Sequence, residues 1–156
     1  RKLLLHLWRV VPFSRKLRYR FLYTINQKFI IGVGVIVVDE KDRVLLFKHT
    51  YRAEYPWGLP TGWLKKGESP AQAVEREVYE ESGFRVKVLE PFEVGHGVQD
   101  VPNVHIVFIG ELVKADEFIG SPEVTEARFF HKDELPPMIP SQKQMIESFY
   151  AKKVAN

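Results

Sequence analysis

The sequence predicts a single α/β domain, and three observations carry that expectation. A short helix is bracketed by residues that start and stop helices, Ser69-Pro70 before it and Gly83 after it. Runs rich in β-branched and aromatic residues lie on both sides of that helix. The chain has 156 residues with 45% hydrophobic and 13% aromatic content, which suffices for one core, and no repeat or low-complexity linker marks a second domain.

Residues 1–27 read as a basic amphipathic helical extension, and residues 28–156 as the folded domain. Residues 1–38 hold Arg1, Lys2, Arg9, Arg15, Lys16, Arg18, Arg20 and Lys28 without one acid, interleaved with Leu3, Leu4, Leu5, Leu7, Trp8, Phe13, Leu17, Tyr19, Phe21 and Leu22. Pro12 breaks this pattern and Ser14 caps a helix anew. Four roles fit such a segment: packing on the domain or on a second copy in a homodimer, contact with an anionic membrane, contact with RNA phosphates, or targeting. Packing is favoured, because apolar stripes mostly mean packing and the net charge is only +3. Beginning at Arg1 and not methionine, the chain is expected to lack its natural start.

Phe29 to Asp39 is a long β-branched run, Asp39-Glu40-Lys41-Asp42 a turn, and Val44 to Lys48 a return, which together read as a hairpin. Further strands are expected at Phe84 to Leu89, Val104 to Val113 and Ala127 to Phe130. Asp133 to Pro137 closes a turn, and Ser141 is expected to cap a last helix running to Tyr150. There is no cysteine, which excludes disulfides, thiolate catalysis and zinc–thiolate sites. No apolar stretch approaches the roughly 20 residues needed to span a bilayer, and a cytoplasmic location is the default expectation.

The central helix carries the chemistry. At about 100° per residue, Glu77, Glu80 and Glu81 share a quarter to a third of its circumference, beside an apolar stripe of Ala71, Val74 and Val78. Like charges at this spacing cost a helix about 0.2–0.5 kcal/mol per pair, and nothing in the final turn offers a cation. An isolated Glu-Glu pair would read as solvated surface. With Glu68, Arg76 and two positional glycines in the same stretch, a hard divalent ion is the economical compensation, since Mg²⁺ takes oxygen ligands and is commonly shared with a substrate's phosphates.

The full stretch is Gly62, five residues, Glu68, seven residues, then Arg76-Glu77-Val78-Tyr79-Glu80-Glu81-Ser82-Gly83-Phe84. It resembles the signature of the Nudix hydrolases at every specified position, a match whose chance probability is below about one in a million at ordinary residue frequencies. The lead-in Trp57-Gly58-Leu59-Pro60 extends the likeness, whereas Thr61-Gly62 departs from the Gly-Gly common in the family. The resemblance implies a mixed β-sheet sandwiched between helices and a metal-dependent attack of water on a diphosphate linkage. It implies Mg²⁺, with Mn²⁺ as a substitute, held by Glu77, Glu80, Glu81, the Gly62 carbonyl and Glu68. Arg76 would orient the glutamates, and Glu77 is the provisional base, with Glu80 beside it.

The substrate implied is a nucleoside diphosphate joined to another group. ADP-ribose or a nucleotide sugar comes first, a nucleoside triphosphate second and an RNA 5′ end third. The alternative is a noncatalytic nucleotide-sensing module on the same scaffold, which would have no need of Arg76 and every acid together. Candidate substrate contacts are Arg52 on a phosphate and Tyr55 or Trp57 stacked on a base, although Arg52 reads equally as solvated and Trp57 is favoured as core. His96, between two glycines, would line a substrate loop, whereas His105 reads as a hydrogen-bonded structural residue. Glu123, placed before Arg128-Phe129-Phe130, corresponds in position to an extra ligand or base in some relatives.

Overall fold

The computed structural model describes residues 14–96, 101–115 and 117–155. In chain order the elements are α1 (Arg15–Ile25), β1 (Ile30–Val37), β2 (Val44–His49), β3 (Trp57–Gly58), β4 (Thr61–Trp63), α2 (Pro70–Ser82), β5 (Arg85–His96), β6 (Asn103–Lys114), β7 (Val124–Phe130), a 3₁₀ turn (Lys132–Glu134) and α3 (Pro140–Ala155). The strands form two sheets, β4-β1-β6-β5 and β3-β2-β7. The first is mixed, with β1 parallel to β6 and antiparallel to β4, and the second is antiparallel.

Alternation along the two central strands sorts their side chains into two cores. Val33, Val35 and Val37 of β1, with Leu45 and Phe47 of β2, meet Ala73, Val74 and Val78 of α2. Ile36, Val44 and Leu46 point the other way, onto Met145, Ile146, Phe149 and Tyr150 of α3. A strand buried on both faces reads as an unbroken apolar run, as β1 does. The expected helix–sheet–helix layering follows.

The expected β1–β2 hairpin does not form. The turn is present, with the Asp39 carboxylate accepting from the amides of Lys41 and Arg43, and Asp42 at φ 59°. Beyond the single bridge from Val38 to Val44, the strands separate into different sheets. The reason lies at long range: β1 is flanked by β4 and β6, and β2 by β3 and β7, so neither has a free edge for the other.

Other boundaries moved for local reasons. β5 runs seven residues past its expected end, through Pro91, because it is an edge strand whose register slips between Val88 and Glu90 and again between Pro91 and Glu93. Proline is tolerated at such edges and bulges. α3 starts at Pro140, not after Ser141; the Ile139 carbonyl accepts from Gln142 and Lys143, and proline suits the first helical position. α2 has a reciprocal capping box between Ser69 and Gln72, and Gly83 closes it at φ 77° with its amide on the Tyr79 carbonyl.

Ser14 does cap α1, accepting from the Leu17 amide, but none of the helix is buried. Residues 1–13, including the break at Pro12, lie outside the described residues. Among the described residues no helix is long and apolar enough to cross a membrane.

His49, the last residue of β2, is 2% exposed, and neither ring nitrogen has a hydrogen-bond partner. Burial, with the nearby Arg52 charge, holds its pKa down to about 4 from an ordinary 6.5. The unfolded chain binds this proton between pH 6.5 and 4 and the folded chain does not, so folding stability falls as pH drops through that window. Denaturant unfolding at pH 7.0, 5.5 and 4.5 should show this loss, and His49→Phe should flatten it.

Candidate active site

The loop after β4 and the first turns of α2 are locked together by one side chain. Arg76 donates from Nε to Glu68 Oε2 at 2.9 Å and from Nη2 to Glu68 Oε1 at 2.8 Å, a bidentate fork. Nη2 also donates to the Trp63 carbonyl at 3.1 Å. Nη1 lies 2.8 Å from Glu77 Oε1 and 3.1 Å from Glu80 Oε2. The fork and the Lys65 amide, which donates to Glu68 at 2.6 Å, hold the Glu68 carboxyl down at about 2. These same acids raise the Arg76 pKa further, so the guanidinium stays charged. The cation that the final turn of the helix lacks is thus supplied from one turn earlier.

Glu77 reaches under β4. It accepts from the Trp63 amide at 3.3 Å, and a Cβ placed on Gly62 would lie 2.6 Å from its Oε1 and overlap Cγ and Cδ. Gly62 is therefore required by close approach, since no side chain fits between β4 and the carboxylate. Glu80 is more exposed and has Lys65 Nζ at 3.5 Å.

Glu81 is the anomaly. It is 8% exposed, and its Oε2 is buried with no partner. Burial, then repulsion from Glu77, Glu123 and Glu80 against an opposing pull from Arg52, pushes its pKa up to about 7. Few arrangements keep a carboxyl this deep without a hydrogen bond.

A cleft of about 960 Å³ opens over this cluster. Gly62, Glu77, Glu80 and Glu81 line one part of it, and Arg52, His96 and Glu123 open onto it as well. Glu68 and Arg76 are not part of its wall. Arg52 Nη1 is another buried atom without a partner, beside Gly58, where a Cβ would lie 2.5 Å from it and 2.7 Å from Gln142 Oε1. Gly58 thus keeps a space where Arg52 and the start of α3 converge.

Two expected substrate contacts lie elsewhere. Trp57 is buried in the α3-side core, its ring edge-on to Phe130 at 4.9 Å with Lys48 and Arg128 near the ring, and it is not on the cleft wall. Tyr55 is not on the cleft wall, and its hydroxyl is paired with Glu54, which raises its pKa. Trp63, Tyr51, Glu93 and Gln142 line the cleft without having been singled out from the sequence, and His105 lines it too. Trp63 was legible in principle: it is the residue after Gly62, and strand alternation turns it to the opposite face.

Among the described residues no three acidic or histidine side chains converge closely enough to cage a metal ion. The donor set still fits a hard cation. Its members are all oxygens, and one buried carboxylate oxygen is unpaired. Mg²⁺ seldom uses an all-protein cage, keeping positions for water and phosphate.

A family model described as the NUDIX domain matches residues 28–149. The NAD-capped RNA hydrolase NudC of Escherichia coli O9:H4 (strain HS) is 30% identical over 106 residues, covering 68% of this chain and 41% of the relative. The chain therefore spans about two fifths of the length of the curated relatives it matches. Among solved structures, a UDP-X diphosphatase superposes with TM-score 0.72 at 21% identity, covering 98% of this chain and 79% of that one. A NUDIX hydrolase from Nitrosomonas europaea gives TM-score 0.71 at 25% identity, covering 81% of this chain and 91% of its own. Nudix hydrolases generally use divalent metal ions. With an unbroken Gly62-to-Phe84 signature built into this loop and helix, the chain belongs to the NUDIX family.

Proposed function

We propose that this chain is a cytoplasmic, Mg²⁺-dependent pyrophosphohydrolase, with Mn²⁺ as a substitute, cleaving the diphosphate linkage of a nucleoside diphosphate joined to another group. ADP-ribose or a nucleotide sugar is the first candidate, a nucleoside triphosphate the second and an RNA 5′ end the third. The observation that carries the reading is Glu81: a buried carboxylate with an unpaired oxygen, crowded by Glu77 and Glu80, facing a cleft large enough for a nucleotide.

Glu77, Glu80, Glu81 and the Gly62 carbonyl would hold the ion, with Glu68 contributing through the loop it fixes. Bound there, the ion would neutralise phosphate charge and lower the pKa of a water. The protein's own part is positioning. Arg76 fixes the rotamers of Glu68 and Glu77, which long flexible side chains would not otherwise hold. Glu77, facing the bare Gly62 backbone, is the proposed acceptor of the water's proton. Arg52, with an unpaired buried Nη1 at the cleft, would bind a non-reacting phosphate oxygen.

A substrate panel with Mg²⁺ and Mn²⁺ should show hydrolysis of at least one nucleoside diphosphate derivative, abolished by chelator. Glu80→Gln should lose most of that rate; an unchanged rate would contradict the mechanism. Arg76→Lys keeps the charge but not the fork, and its turnover at saturating metal should fall about 10- to 100-fold, as for other residues that orient metal ligands.

A further inference from the structure

The helix α1 stands outside the residues that the family model matches, which begin at 28. None of its residues is buried, yet it carries the large apolar side chains of a helix that packs. At about 100° per residue, Leu17, Phe21 and Ile25 form one row with Leu22 beside it, in an arc of about 140° that Arg18 interrupts. Each of these four apolar residues is at least 37% exposed. The opposite half carries Arg15, Lys16, Arg20 and Thr24 around Tyr19 and Tyr23. Apolar residues scattered singly on a surface need no explanation, but a contiguous exposed arc marks a contact surface.

Charge says what covers it. The helix has four basic residues and no acid, and Lys28 just beyond it folds back with Nζ 5.2 Å from the centre of the Tyr23 ring. The segregation runs through the whole chain. The first 38 residues hold eight Lys and Arg with no acid, so the remaining 118 hold fifteen against all twenty Asp and Glu. The modest net charge of +3 therefore conceals a basic extension on an acidic domain.

A second copy offering the same face would bring like charges together across a small contact. RNA phosphates would satisfy the cations but leave the aliphatic Leu17, Leu22 and Ile25 in water, since bases stack on aromatic faces. An anionic lipid surface satisfies both halves: the acyl boundary takes the apolar arc, and the headgroup phosphates take Arg15 and Arg20, which flank it. The 11 residues of α1 span about 16 Å, roughly half of a hydrocarbon core, so such a helix lies on a bilayer and does not cross it. The same surface repels the acidic remainder of the chain, which confines contact to the extension.

We propose that α1 docks this chain on an anionic membrane surface, lying in the plane of the interface with Leu17, Leu22 and Ile25 inserted and Arg15 and Arg20 among the lipid phosphates. The contact is independent of the reaction proposed for the cleft.

The test is flotation of the 156-residue chain with vesicles of phosphatidylcholine alone, or of phosphatidylcholine and phosphatidylserine at about three to one. Saturable recovery is expected with the anionic vesicles, about tenfold or more weaker with the neutral ones, and falling as salt rises. Arg15→Gln with Arg20→Gln should weaken binding about 30-fold, five- to sixfold for each cation near such a surface. Leu17→Ser with Ile25→Ser should weaken it by about tenfold or more, which a purely electrostatic attachment would not show. Because none of α1 is buried, both double variants should keep the wild-type melting temperature. Equal recovery with the two vesicles, recovery with neither, or undiminished binding in either double variant would overturn the proposal. Two other results would overturn it likewise. A lipid-free dimer that Leu17→Ser with Ile25→Ser dissolves, in a chain that binds no vesicle, would assign the face to a second copy, and binding of polyuridylate but not of vesicles would assign it to RNA.

Discussion

The site depends on a single guanidinium. Arg76 spans the loop from Trp63 to Glu68 and the helix from Glu77 to Glu80, and its fork on Glu68 fixes how the two approach. Without that approach Gly62 would not lie against Glu77, and the carboxylates would be a solvated helix face. Lysine could supply the charge but not five donors in a fixed plane.

Arg76, even with Lys65 near Glu80, cannot satisfy four acids. Arg76 saturates Glu68, shares itself between Glu77 and Glu80, and leaves Glu81 buried among like charges. The raised Glu81 pKa and the raised Arg76 pKa express the same imbalance from opposite sides. In a protein that bound nothing, such a group would be a cost without a return. In a cleft open to phosphates it is where the proposed divalent ion would restore neutrality.

Much of this was legible because the information is local. The spacing from Gly62 to Phe84 sits in one loop and one helix, so capping, face and charge could be read from short-range rules, as could the αL glycine at 83. What could not be read is what long-range pairing decides. The apolar runs of β1 and β2 look like a hairpin until β4, β6, β3 and β7 occupy their edges. Trp57 and Trp63, six residues apart and alike in type, end in opposite settings. One is sealed by Phe130, Lys48 and Arg128, the other open over Gly32, and only sheet register separates them.

The most direct measurement is calorimetric titration of the protein with Mg²⁺, alone and with nucleotide present. Saturable uptake is predicted, accompanied by proton release near pH 7 as Glu81 ionises, and both should diminish in Glu81→Gln. Absence of any uptake in either condition would contradict an acidic cluster built to receive a cation.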